Sequence, residues 1–183
     1  APREHCNSQG VNDMGLTPEF LPGYQPSKGQ KKNDLFEICK DGAIKFLYIA
    51  GEDPVGSFYR PQLAIEALNA VPFLIVTDVY MTETAKMADL ILPSSTYAEK
   101  DGTYTNMSRH VQGVTSAILP QGTSKPDFDI LIELSEALGK PFQNSTLSEI
   151  QQEIVEAAPI YKGTFPGKDS KQWVPPTTDK KPV

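Results

Sequence analysis

Blocks of apolar residues along the chain predict strands and helices that follow one another in turn. Strands are predicted at residues 45–50, 72–76 and 89–92, and the almost unbroken apolar run at 72–76 fits a parallel strand covered on both faces. The helices between and around them are predicted at residues 33–40, 60–69 and, as a short turn, 82–87. This order predicts an α/β fold in three layers, a mostly parallel sheet with helices on both faces.

Helix boundaries are signalled by capping residues. In residues 60–69, Pro61 starts a helix whose apolar positions form one stripe, predicted to be buried: Leu63, Ala64, Ala67 and Leu68. A helix at residues 125–138 is predicted to take Ser124 as its cap and to stop at Gly139. A second helix should begin at a capping box formed by Thr146 and Glu149.

The two ends of the chain differ from its middle. The first thirty residues are rich in proline and glycine, which predicts an irregular segment with a turn at Pro22 and Gly23. The expected organisation is an irregular segment at residues 1–32 that packs on a neighbouring domain, an α/β domain at 33–158, and an extended tail or linker at 159–183. The absence of an initiating Met predicts a fragment or a processed chain.

Charge and cysteine content narrow the classes of function. A net charge of −6 over 183 residues disfavours nucleic-acid binding, and no apolar run reaches the roughly 20 residues of a membrane span. Cys6 and Cys39 are the only cysteines, too few for a zinc site or an iron–sulfur cluster in this chain. Both are expected as reduced thiols, with Cys39 packed on its short helix.

Two predicted strands each deliver an aspartate near their carboxyl end. Asp53 follows the first and Asp78 follows the second, and one helix-sized crossover separates them. Open α/β sheets bind nucleotides at this edge, so we expect the ligand there. Asp53 and Asp78 could also be simple caps, and Thr82 is a good cap for the helical turn that it begins.

Several ordered motifs between residues 6 and 142 identify a family. The chain contains, in order, NSQGVNDMGLTPEFLPGYQ, GEDP, DVYMTETAKMADLILPSSTYAEKDGTYTN and RHVQ. Together they resemble the molybdopterin oxidoreductase superfamily, in particular the formate dehydrogenase alpha subunit and the large iron–sulfur subunit of NADH:quinone oxidoreductase (complex I). The resemblance implies a Rossmann-like domain that holds one guanine dinucleotide arm of the molybdopterin.

The same resemblance implies roles for individual residues. Gly51, Glu52 and Asp53 would face the pyrophosphate or ribose, with Asp53 on ribose hydroxyls because carboxylates and phosphates repel each other. Asp78 would accept from the N1 and N2 donors of guanine, which adenine lacks. Thr82 and Thr84 would donate to phosphate oxygens. Glu99 and Arg109 are expected to form a buried ion pair, and no catalytic or metal-ligating residue is predicted.

Three hypotheses of function remain open. The first is the C-terminal molybdopterin-type region of the large iron–sulfur subunit of complex I, a scaffold with a vestigial pocket that supports electron transfer from NADH to quinone; the wording TYTN and VQ favours it. The second is the molybdopterin guanine dinucleotide-binding domain of a formate dehydrogenase alpha subunit, favoured by GEDP and PGYQP. The third is a free-standing nucleotide-binding module.

The first two hypotheses both place this chain within a larger oxidoreductase subunit. The metal-ligating cysteine or selenocysteine with its adjacent histidine, which such dehydrogenases need, is missing from this chain. The chain is therefore not expected to be catalytically complete by itself. Its predicted partners are the other domains of the parent subunit and other oxidoreductase subunits. The expected location is the cytoplasm, with membrane association through a respiratory complex.

Overall fold

The computed structural model describes residues 7–17, 20–26, 32–163 and 171–172. Its chain divides into two compact units, each made of separate stretches. The parallel-sheet unit comprises Gln30–Lys100 and Ser116–Gln143, and the antiparallel unit comprises Ala1–Gly29, Asp101–Thr115 and Asn144–Val183. The continuous ranges expected from the sequence stay a prediction about domain organisation.

The described residues form six α-helices and eight strands. The helices are α1 (Ser8–Asp13), α2 (Lys32–Lys40), α3 (Pro54–Ser57), α4 (Pro61–Asn69), α5 (Asp127–Ala137) and α6 (Leu147–Ala157). The strands are β1 (Phe20–Leu21), β2 (Gln25–Pro26), β3 (Leu47–Ala50), β4 (Leu74–Asp78), β5 (Leu90–Pro93), β6 (Gly102–Thr105), β7 (His110–Val114) and β8 (Lys171–Gln172). Single 3-10 turns lie at Pro22–Tyr24, Ala85–Met87, Tyr97–Glu99 and Pro159–Tyr161.

The parallel sheet has the order β3-β4-β5, with β4 in the middle. Leu47 pairs with Leu74, and Ile75 pairs with Leu90. Four successive residues of β4, Leu74 to Thr77, are each at most 2% exposed, so both faces of the central strand are covered. The α/β fold with a parallel sheet flanked by helices, predicted from the apolar runs, is confirmed.

The predicted stripe of helix α4 is buried against helix α2 and against the sheet. Leu63, Ala64, Ala67 and Leu68 are all buried, and Leu68 packs with Leu74 and Val76 of β4. Cys39 is a fully buried free thiol in the cluster that α2 and α4 form, as expected. Burial raises the pKa of this thiol, which keeps it protonated and unreactive. Cys6 lies outside the described residues.

Two helix caps test the sequence-based boundaries. Thr146 and Glu149 form the predicted capping box at the start of α6. The predicted cap of α5 is wrong, because that helix starts after Pro126 and the Ser124 hydroxyl donates to the Gln121 carbonyl. Pro126, whose ring fixes its φ, occupies the cap position instead. Ser124 lies two residues before that position and does not cap the helix. Gly139 takes φ +68° and ends α5 as expected.

The antiparallel unit contains a sheet that the sequence analysis did not predict. Strands β6 and β7 pair antiparallel, and β8 adds to β7. Strands β1 and β2 form a small hairpin, and α1 precedes it. The irregular segment expected at the start of the chain is therefore more regular than predicted where the structure describes it. Gly23 takes φ +75° in the predicted turn, and a Cβ there would lie 2.2 Å from the Ala157 carbonyl oxygen.

No helix within the described part of the chain is long and apolar enough to cross a membrane.

Candidate nucleotide site

The carboxyl ends of the three parallel strands meet at one edge of the sheet. The Gly51 N–H donates to the Thr77 carbonyl at 2.8 Å, and the Ser94 N–H donates to the Asp78 carbonyl at 3.0 Å. The loops after β3, β4 and β5 therefore start side by side. We call this the carboxyl edge, and all six residues predicted to bind the cofactor lie in its loops after β3 and β4 or at the end of β4.

Asp53 is the cap of the short helix α3 and is held by three donors. Its Oδ1 accepts the Gly56 N–H at 3.1 Å, the Thr84 N–H at 3.0 Å and the Thr84 hydroxyl at 2.6 Å. Thr84 is fully buried, and its Oγ1 also accepts the Val55 N–H at 3.0 Å. Asp53 and Thr84 thus tie the loop after β3 to the loop after β4.

The surroundings of Asp53 favour its charged form. Burial acts to raise the pKa of this carboxyl, but the hydrogen bonds from Thr84 and Gly56 and the charge of Lys86 together outweigh it. The pKa of Asp53 therefore lies below the ordinary aspartate value, because donors that stabilise a carboxylate make its protonation less favourable.

Asp78 ends the central strand and folds back on the turn that follows. Its Oδ1 accepts the N–H groups of Val79 at 2.7 Å and Tyr80 at 3.2 Å. The other carboxylate oxygen, Oδ2, has no hydrogen-bond partner among the described residues. Asp78 as a whole residue is partly exposed. The turn therefore holds the Asp78 carboxylate through Oδ1 and leaves Oδ2 for another donor.

The three other predicted site residues differ in their contacts and exposure. The Thr82 Oγ1 accepts the Ala85 N–H at 3.1 Å, which is the capping role weighed above, and its hydroxyl proton remains available to an acceptor. Gly51 takes φ +62° with no atom within 4 Å of the position of a Cβ. Glu52 is exposed.

The loop after β5 contributes polar residues that the sequence analysis missed. The Ser94 hydroxyl donates to Asp127 Oδ1 at 2.5 Å, and Lys100 pairs with the other oxygen of Asp127. Ser95 is fully buried, and its Oγ has no partner among the described residues. The motif PSS signals only a polar strand end, because the partner Asp127 is 33 residues away from Ser94.

The ion pair expected between Glu99 and Arg109 stays a prediction, because the two residues belong to different units; each has partners within its own unit. Glu99 is buried, and its carboxylate accepts the Thr96 N–H at 2.6 Å and the Gln121 N–H at 2.9 Å. The hydrogen bond from the Thr96 N–H contributes most to lowering the pKa of Glu99, and the bond from the Gln121 N–H adds to it. In the antiparallel unit, the Arg109 Nε donates to Asp13 at 3.4 Å. Backbone donors nearby in the fold satisfy Glu99 without a cation.

The described stretches of the chain contain no group of three or more histidine, cysteine, aspartate or glutamate side chains that could hold a metal ion. The candidate site is accordingly one of carboxylates, hydroxyls and backbone groups.

Comparison with known proteins decides the family. The family model for molybdopterin oxidoreductases matches residues 14–137. The chain belongs to the molybdopterin oxidoreductase family. The resemblance inferred from the ordered motifs is thereby confirmed at the level of the superfamily.

Two relatives with similar sequences carry the name formate dehydrogenase. The chain is 39% identical over 182 residues to the F420-dependent formate dehydrogenase subunit alpha of Methanocaldococcus jannaschii, a match that covers 88% of this chain and 27% of that protein. It is 35% identical over 204 residues to a protein of Staphylococcus haemolyticus named "putative formate dehydrogenase", covering 97% and 21%. The chain thus spans between a fifth and three tenths of the length of these curated relatives.

A solved structure has the same fold. Acetylene hydratase from Pelobacter acetylenicus superposes with a TM-score of 0.61 at 18% sequence identity, covering 81% of this chain and 22% of that one. At this identity the likeness is one of fold alone.

The residues of the carboxyl edge fit the nucleotide end of a molybdopterin cofactor in part. The free Oδ2 of Asp78 offers two acceptor positions to N–H donors of a base. A bidentate contact through both carboxylate oxygens would compete with the Val79 and Tyr80 N–H groups on Oδ1. Both donors of Thr84 are engaged by Asp53, so a phosphate contact from Thr84 would break these bonds.

Proposed function

We propose that this chain is the dinucleotide-binding α/β part of a formate dehydrogenase alpha subunit. In this proposal the carboxyl edge holds the guanine end of a molybdopterin guanine dinucleotide. The cofactor, when bound, supplies the redox chemistry of the parent enzyme. The residues of this chain bind and orient its nucleotide.

One observation carries the proposal: Asp78 ends the central strand with Oδ1 fixed by the turn and Oδ2 without a partner among the described residues. Asp78 is partly exposed, so its unpaired Oδ2 is open to a ligand that carries N–H donors. Guanine presents N–H donors at N1 and N2, and adenine presents an acceptor at N1. Asp78 therefore favours guanine over adenine.

The other predicted site residues take revised roles in this proposal. Gly51 and Glu52 lie in the loop after β3 beside the nucleotide, and the Thr82 hydroxyl donates to a phosphate oxygen. Asp53 and Thr84 shape the site by joining its two loops, and Asp53 keeps its Oδ2 for a ribose hydroxyl.

The relatives support formate dehydrogenase as the parent enzyme. Those reported above carry this name, which favours the second hypothesis from the sequence over the complex I scaffold that was placed first. The name of the Methanocaldococcus relative, a subunit alpha, supports partners in the form of further subunits. The remaining domains of a longer parent chain, which would hold the rest of the cofactor while this chain holds its guanine end, are proposed on the same ground. The cytoplasmic location stays a prediction.

The test is the nucleotide content of the parent enzyme that carries Asp78→Asn. Asparagine keeps an oxygen for the Val79 and Tyr80 N–H groups and places an NH₂ donor where Oδ2 was. Loss of one charged hydrogen bond should weaken cofactor binding by about 1.5–3 kcal/mol. We expect less guanine nucleotide, released by acid hydrolysis and measured by chromatography, and less pterin fluorescence per protein.

Asp129→Asn is the matched control, because Asp129 is an exposed carboxylate in the first turn of α5. It removes the same charge from the parallel-sheet unit and should leave the nucleotide content unchanged. If the native enzyme releases no guanine nucleotide, or if Asp78→Asn retains a full complement, the proposal is wrong.

A further inference from the structure

Three consecutive apolar side chains stand exposed directly after Asp78. Val79, Tyr80 and Met81 are 41%, 77% and 61% exposed. Single exposed apolar residues are ordinary in proteins, whereas an exposed run of three needs a functional reason. The run lies at the carboxyl edge, where open α/β sheets bind their ligands.

Hydrogen bonds of Asp78 set the direction of this run. Asp78 Oδ1 accepts the backbone N–H groups of both Val79 and Tyr80. These two hydrogen bonds hold the backbone of the turn from Asp78 to Tyr80. Tyr80 therefore belongs to the same short turn as the carboxylate whose Oδ2 is unpaired among the described residues, and its side chain is exposed there. A base that donates to Oδ2 would bind at the turn that carries this aromatic ring.

The two side chains would recognise different properties of a base. An aromatic ring stacks on any base, since every base has a π face, and it adds affinity without selectivity. A carboxylate oxygen that accepts N–H donors adds selectivity for guanine. Tyrosine suits a rim position because its hydroxyl stays in water while its ring covers the ligand.

We propose that Tyr80 is the stacking platform for the guanine base at the carboxyl edge, with Met81 beside it as a flexible apolar cover. This inference rests on the proposed function, since it names a further binding residue of the same site. Tyr80 supplies affinity, and Asp78 supplies the preference for guanine over adenine.

The experiment measures binding of guanosine diphosphate and adenosine diphosphate to the full 183-residue chain, by ligand-observed NMR or calorimetry. Tyr80→Leu keeps an apolar side chain and removes the ring, and Tyr80→Phe keeps the ring. Phe46→Leu is the matched control, because Phe46 is an exposed aromatic residue that precedes β3 at the opposite edge of the same sheet. Thermal unfolding of each variant checks that it is folded.

We expect Tyr80→Leu to weaken the binding of both nucleotides by the same factor, about 5- to 150-fold, the loss of one base stack. Tyr80→Phe and Phe46→Leu should bind like the unchanged chain. Asp78→Asn should weaken the binding of guanosine diphosphate alone and so remove the preference for guanine.

Each other outcome separates the two proposals. If Asp78→Asn removes the guanine preference while Tyr80→Leu binds normally, the stacking role is overturned and the nucleotide site stands; the exposed run is then a surface for another protein. If Tyr80→Leu weakens only guanosine diphosphate binding, Tyr80 reads the base edge and stacking is again overturned. If the unchanged chain binds neither nucleotide, both the stacking role and the proposed nucleotide site fail.

Discussion

Thr84 donates both its hydroxyl and its backbone N–H to one oxygen of Asp53, at 2.6 Å and 3.0 Å. The two residues are 31 positions apart in the chain and belong to loops that follow different strands. The same hydroxyl oxygen accepts the Val55 N–H, so one buried threonine organises the start of α3 and the turn after β4. The carboxyl edge is preorganised by this pair before any ligand arrives.

Thr84→Val should destabilise the fold by about 1–3 kcal/mol, because it removes the donor to Asp53 and leaves the Val55 N–H without its acceptor. Valine has nearly the same shape, so the loss reports hydrogen bonding rather than packing. Urea unfolding of the chain measures the change. Thr123→Val, at an exposed threonine of the same unit, should stay within about 0.5 kcal/mol. Equal effects of the two substitutions would contradict this role of Thr84.

The low pKa of Asp53 links stability to pH with a definite sign. Because the folded-state pKa lies below the unfolded value of about 4, the stabilisation is complete above that value and is lost as the pH falls through the folded-state pKa. The difference in unfolding free energy between the unchanged chain and Asp53→Asn should therefore shrink as the pH is lowered below about 4. Urea unfolding over a pH series measures it, and NMR titration of the carboxyl carbon gives the pKa directly. A difference that grows on acidification would refute the assignment.

Gly56→Ala should destabilise α3 although alanine is the better helix former. A Cβ at Gly56 would lie 2.1 Å from Asp53 Oδ2, and Asp53 is held by three hydrogen bonds and cannot turn away freely. The expected loss is about 1–3 kcal/mol, the usual range for overpacking. Gly102→Ala is the control, since nothing lies within 4 Å of a Cβ there. If thermal unfolding finds Gly56→Ala as stable as the unchanged chain, the contact with Asp53 is softer than the structure has it.

Two adjacent serines should respond in opposite ways to removal of the hydroxyl. Ser94→Ala loses a hydrogen bond to the Asp127 carboxylate and should cost about 1.5–3 kcal/mol. Ser95→Ala removes a buried hydroxyl without a partner among the described residues and should be neutral or stabilising by up to about 1 kcal/mol. Unfolding free energies of the two variants make the comparison. A marked loss for Ser95→Ala would mean that a bound water or ligand satisfies its hydroxyl.

Local pattern was enough to place the elements that position the site. The stripe of α4 follows from a period of 3.6 residues, and β4 follows from its continuous apolar run. The capping box of α6 depends only on two residues that lie three positions apart. The antiparallel sheet was not predicted. Its strands β6 and β7 are neighbours in the chain, whereas β8 could not be found from local pattern, because the pairing of Gln172 with His110 joins distant stretches.

The sequence by itself determined the family, the parallel α/β fold and the strand ends that carry Asp53 and Asp78. Only the tertiary structure decided which oxygens remain for a ligand: Thr84 engages Asp53, while the turn after Asp78 uses Oδ1 and leaves Oδ2. The physical reason is that an element forms from periodic contacts within a short stretch, whereas the direction and partners of a loop side chain depend on residues that the crossovers bring together from far along the chain.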